Sequence, residues 1–165
     1  MVIGSLGHWS FLFYFMIRLI DLEVYKVAME IGDKVWEIVN RWDYFNKDTL
    51  GKQFTKAADS IALNIAEGYG RFFYKENKNF NYYSRGSAFE STSCLRKANQ
   101  RKLINEEENF ELRQLFAKYL KLINGYIKSI GIAKDSNELH EDEIIYEKNI
   151  NLEDLLTNDS MTSMT

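Results

Sequence analysis

From Asp21 onward the apolar residues recur every three or four positions, the period of an amphipathic helix. Val24, Ala28, Ile31, Val35, Ile38, Val39 and Trp42 share one face of a first helix, which Asp21 is suited to cap. A turn-forming stretch from Asp43 to Lys47 interrupts the pattern. The second helix is expected from Asp48, with Leu50, Phe54, Ala57, Ala58, Ile61, Ile65 and Tyr69 facing inward. It should stop at Gly68 or Gly70, where glycine tolerates the positive φ of a helix C-terminus. A third helix from Lys75 to Lys102 presents Phe80, Tyr83, Ser87, Ser91, Cys94, Leu95 and Ala98. Its middle, Ser84 to Ala88, lacks bulk and predicts a close approach to the alanines of the second helix. The fourth helix has the clearest start. Asn105 is a good N-cap, Glu108 stands at the capping-box position, and Glu106 and Glu107 suit the positive end of the helix dipole. Leu112, Leu115, Phe116, Tyr119, Leu122, Ile123, Tyr126 and Ile130 form its inner face.

Long helices joined by short connections predict antiparallel neighbours, hence an all-α, up-down-up-down four-helix bundle over residues 21–133. No strand-like alternation competes with it. Residues 1–20 form an apolar extension. Its run from Phe11 to Ile17 is followed by Arg18, has no basic segment before it and is too short for a bilayer core of about 30 Å, so neither secretion nor a membrane anchor is expected. Met16 is an alternative start. Residues 134–165 read as an acidic tail, with a short helix near 141–156 followed by disorder.

The absence of proline and the presence of only nine glycines favour long helices over turn-rich sheets. A single cysteine, Cys94, with two remote histidines, His8 and His140, supplies neither a disulfide framework nor a zinc cluster, and fits a reducing cytoplasm. The net charge of −3 conceals a division along the chain. Residues 21–133 carry 18 Lys and Arg against 15 Asp and Glu, while residues 134–165 carry two lysines against nine acids. Within 71–102 the eight cations Arg71, Lys75, Lys78, Arg85, Arg96, Lys97, Arg101 and Lys102 face only Glu76 and Glu90, a local +6. An anionic partner would dock here. The competing reading is a solvated helix end, because cations near a C-terminus also suit the dipole. Aromatic residues from Phe72 to Tyr83 are interleaved with these charges and could stack bases. Tyr82, Phe72 and Trp36 lie off the main apolar stripes and are candidates for contacts between protomers.

The stretch Gln53-Phe-Thr-Lys-Ala-Ala-Asp-Ser-Ile-Ala-Leu-Asn-Ile-Ala-Glu-Gly-Tyr-Gly-Arg71 resembles the hallmark of bacterial four-helix-bundle proteins encoded in intervening sequences of 23S ribosomal RNA genes. Asp21-Leu-Glu-Val-Tyr-Lys26 is similar to that family's opening, and Gly86, Ser87 and Glu90 to its third-helix positions. The motif residues carried over are Gln53, Ala57, Ala58, Ser60, Asn64, Glu67, Gly68, Gly70, Gly86, Ser87 and Glu90. The resemblance implies a compact bundle, assembly into a ring-like homo-oligomer, pentamers among them, and association with nucleic acid. A related bundle is the accessory protein of diversity-generating retroelements, which partners a reverse transcriptase. Where the family has a basic pair this chain has Thr55-Lys56, so Lys56 alone remains at that edge and the expected phosphate contacts shift to the third helix.

Glu67 and Glu90 could approach each other between helices two and three. A di-iron bundle needs additional carboxylates and histidines, and no histidine occurs between residues 9 and 139, so neither a metal nor another cofactor is expected. Glu67 is instead expected to receive Arg71 at i+4, with Asn64 bonded nearby. The turn Gly68-Tyr-Gly70 ends a helix and so is no phosphate loop. The expected function is non-enzymatic: a cytoplasmic homo-oligomer holding structured RNA on Lys56, Arg71 and the cations of helix three. The alternative is a scaffold for a protein partner.

Overall fold

A computed structural model describes residues 19–130. The expected apolar extension, beyond Leu19 and Ile20, and the acidic tail from residue 134 lie outside the described residues. The described residues are all-helical in their regular structure: α1 (Glu23–Asn40), a single turn α2 (Tyr44–Asn46), a π-helical stretch (Lys47–Gly51), α3 (Lys52–Tyr69), α4 (Tyr74–Gln100) and α5 (Glu106–Ser129). No strand occurs among the described residues. The helix α1 packs on α3 and α5, and α4 packs on α3 and α5.

The breaks follow local chemistry. Leu22, not Asp21, holds the cap position of α1, without a side-chain hydrogen bond. Asp43 accepts from the Asn46 backbone N–H at 3.0 Å and its side-chain amide at 2.6 Å. Helical winding therefore resumes at Tyr44, earlier than the expected Asp48. The π-helical stretch brings Gly51 against the end of α1, where a Cβ would stand 2.8 Å from Val39. At Gly70 φ is −75°, so the expected left-handed ending of α3 is not used. Gly68 is instead buried inside α3, and its missing Cβ admits Phe80 and Asn77 of α4.

The C-terminus of α4 ends in a Schellman motif. Leu103 N–H donates to the Ala98 carbonyl at 2.9 Å and Lys102 N–H to that of Asn99 at 2.9 Å. Lys102 occupies the left-handed position, with φ of 57°. The expected capping box of α5 forms in both directions between Asn105 and Glu108.

The predicted apolar stripes of α1, α3 and α5 supply the core, joined by Val27, Ala62, Leu120 and Ile127, except that Leu115, Leu122 and Tyr126 are only half-buried against it and Tyr69, expected to face inward, is half-buried outside it. The inner face of α4 differs in its first half. Its buried positions are Asn81, Ser84 and Ala88, whereas Tyr83 is 59% exposed. Hydrogen bonding explains Ser84, and Asn81 only through its amide nitrogen, since the buried Asn81 Oδ1 has no partner among the described residues. The Ser84 hydroxyl donates to the Ile61 carbonyl at 2.6 Å and lies 2.6 Å from the Tyr119 hydroxyl, while the Asn81 amide donates to Asn77. Polar side chains with partners can be buried where an unpartnered phenol would be costly. Burial pushes the Tyr119 phenol far above its usual range, with the Ser84 hydrogen bond a smaller opposing influence.

Candidate nucleic-acid interface

The charged residues of α5 divide by side. Glu111 bonds Lys34 of α1 at 2.6 Å, Glu108 pairs with Arg41, and Lys118 bonds Glu23 at 2.8 Å. These pairs occupy the side of α5 that meets α1. On its other side Asn124 accepts from Arg85 of α4 at 2.9 Å. Helical spacing carries Arg113, Lys121 and Lys128 onto the same side as Asn124, since they stand eleven and three residues before it and four after it. From Leu112 to Ile130 there are four basic residues and no acid.

The facing ridge of α4 is also basic. Lys75, Lys78, Tyr82, Arg85, Phe89 and Arg96 follow one another at helical intervals on its outward side. The Arg85 guanidinium lies 5.1 Å from the centroid of the Tyr82 ring. Cations alternating with aromatic rings at helical spacing are the residue types that neutralise phosphates and stack bases. Arg113, Lys121 and Lys128 are not among the cations expected from sequence. The acid-free run after Glu111 is a visible signal, but its adjacency to α4 is a tertiary fact.

The nine sequence-predicted cations do not form one surface. Lys75, Lys78, Arg85 and Arg96 lie on the ridge just described. Lys97 and Arg101 follow Glu90 by seven and eleven residues and share its side of α4. That side meets α3, because Gln53 donates to Glu90 at 3.4 Å. Lys102 has a backbone role in the helix ending. Arg71 pairs with Glu67, as its spacing predicted, and its guanidinium sits 4.7 Å from the Phe80 ring centroid. Lys56 is exposed on α3, away from the α4–α5 face.

Several of the other motif residues pack or brace the helices. Ala57 and Ala58 are buried in α3, the Ser60 hydroxyl donates to the Lys56 carbonyl at 2.7 Å, and Asn64 donates to the Ser60 carbonyl at 2.7 Å. Ser87 donates to the Tyr83 carbonyl at 3.1 Å. Gly86 is exposed, with nothing within 4 Å of where a Cβ would stand. The close approach expected around Ser84–Ala88 therefore involves Ser84 and Ala88 and not Gly86. Glu67 and Glu90 do not form a pair. Their partners on α3, Gln53 for Glu90 and Glu67 itself, are fourteen residues apart, about 21 Å along the helix. Among the described residues no group of three or more His, Cys, Asp or Glu is arranged to hold a metal ion. No described helix is long and apolar enough to cross a membrane.

No curated protein matches the chain. The family model described as 23S rRNA-intervening sequence protein matches residues 20–125, which takes in α1, α3, α4 and most of α5. With that match over more than half its length, the chain belongs to the 23S rRNA-intervening sequence protein family.

Proposed function

We propose that this protein is a non-enzymatic homo-oligomer whose four long helices form an antiparallel bundle and whose α4–α5 face binds structured RNA, ribosomal RNA being the first candidate. The observation that carries the reading is the Arg85–Asn124 contact, from which helical spacing sets Lys78, Arg85 and Arg96 of α4 beside Lys121 and Lys128 of α5. Family membership supports RNA as the polyanion. Antiparallel packing is supported by the pairings between α4 and α5, in which Asn77 bonds Tyr126 and Ser84 meets Tyr119. Phosphate neutralisation supplies the affinity, and repetition of the face around a symmetric assembly multiplies it. Trp36, 60% exposed on α1, is the proposed contact between protomers.

Sedimentation and RNA binding at graded salt test this reading together. The expected results are a mass well above the 19.4 kDa monomer and an affinity that falls steeply with salt. Deletion of residues 134–165, with their net −7, should raise RNA affinity by removing an internal competitor. If neither the full chain nor the shortened one binds RNA, the reading fails in favour of a protein-partner scaffold. That second reading rests on the exposed corner of Phe72, Phe73 and Tyr74 between α3 and α4.

A further inference from the structure

We propose that the RNA segment seated on the α4–α5 face is unpaired, its bases stacked on Tyr82 and Phe89 while Lys78, Arg85 and Arg96 hold its phosphates. The inference rests on the nucleic-acid reading above and adds the state of the strand. The alternation of ring and cation carries it. From Lys75 to Arg96 the ridge is about 32 Å long, and its two rings stand about 10.5 Å apart along the helix. Tyr82 is 38% exposed and Phe89 36%, so both rings reach solvent from among the cations. The Arg85 guanidinium lies against the Tyr82 ring and is held from α5 by Asn124, which fixes ring and charge as one platform. That charged setting also separates Tyr82 from the apolar protomer contact expected of it in sequence.

A duplex could use only half of this ridge. Its bases stay within their own stack, so the surface meeting the rings would be charged sugar–phosphate, and only the cations would contribute. An unpaired strand can use both parts. Every base has a π-face, and stacking on aromatic side chains is tolerant of sequence. The ring-to-ring interval is about three times the 3.4 Å rise of a continuous base stack, so the strand must splay its bases to reach both rings.

Fluorescence anisotropy of the full chain with a labelled, non-self-complementary RNA of about 12 nucleotides, alone and annealed to its complement, tests the inference. At equal salt the unpaired strand should bind at least about tenfold more tightly than the duplex. The double change Tyr82→Leu and Phe89→Leu should weaken unpaired-strand binding by about tenfold or more. It should leave duplex binding and the salt slope unchanged, while Tyr82→Phe retains affinity. The two single Leu variants and thermal melts of each separate a lost stacking surface from a lost fold. Duplex binding as tight as that of the unpaired strand, or a folded double variant with unchanged affinity, would overturn the inference while leaving RNA binding intact. Binding of neither RNA form would overturn the nucleic-acid reading itself, and this inference with it.

Discussion

Gly68 and Gly86 belong to the same shared set of motif residues yet differ in what surrounds them. A Cβ at Gly68 would lie 2.9 Å from the Phe80 Cβ and 3.0 Å from the Asn77 carbonyl oxygen, neither of them the end of a flexible side chain. Gly68→Ala should therefore push α4 from α3 and destabilise the protein by about 1–3 kcal/mol, more than the gain in helix propensity returns. Gly86→Ala meets nothing and should stabilise by about 0.4–1 kcal/mol. Urea unfolding of the two variants should shift in opposite directions, and shifts of the same sign would refute this account of the α3–α4 contact. Asp59 offers a pH test. Burial, and secondarily the charge of Asp33, raises its pKa above the ordinary carboxylate value. The folded state thus holds that proton more firmly than the unfolded state, and stability is lost as pH rises through the folded pKa. Asp59→Asn should raise the melting temperature at neutral pH, and the gain should vanish below the ordinary carboxylate range. A gain that persisted in acid would mean that charge is not its cause.

The two ends of the α4–α5 connection show how far helix boundaries can be read from sequence. The capping box is written in Asn105 and Glu108, and Asn105→Ala should cost about 0.5–2 kcal/mol. The Schellman ending three residues earlier is not legible, because a lysine holds the position glycine usually takes. Lys102→Gly should stabilise the protein by about 1 kcal/mol by removing the steric cost of φ 57°. Denaturant midpoints of both variants check the pair, and a destabilising Lys102→Gly would deny that the backbone there is strained. The stripes of α1, α3 and α5 are legible because their apolar residues repeat at helical period. The first half of α4 is not, since Phe80 and Tyr83 carry the apolar pattern while the buried positions are Asn81 and Ser84. What permits the burial of Ser84 is a partner on another helix, the Ile61 carbonyl and the Tyr119 hydroxyl, and no local pattern announces it. For the candidate site, the cations of α4 are visible as a charge run, but their division between an α3-facing and an α5-facing side requires the Gln53–Glu90 and Arg85–Asn124 contacts.

Across the whole described region the ion pairs sort charge. Glu23, Glu108 and Glu111 are drawn to the α1–α5 contact, and helical spacing carries Arg113, Lys121 and Lys128 onto the side of α5 where Asn124 meets α4. Exposed pairs of this kind contribute little to stability, so their larger consequence is the sign of each face. The outward side of α1, with Glu30, Asp33 and Glu37 beside Lys26, provides a control of opposite character. The most direct test of the proposed function is the slope of log RNA affinity against log salt for two double variants of equal charge change. Lys78→Glu with Lys121→Glu alters the α4–α5 face, whereas Lys26→Glu with Lys47→Glu alters residues away from it. The first should weaken binding and lower the slope by about 0.7–0.9 for each phosphate that the variant no longer neutralises, and the second should leave the slope at the parent value. Equal slopes in both variants, or a greater loss of affinity in the second, would contradict the assignment of RNA binding to the α4–α5 face.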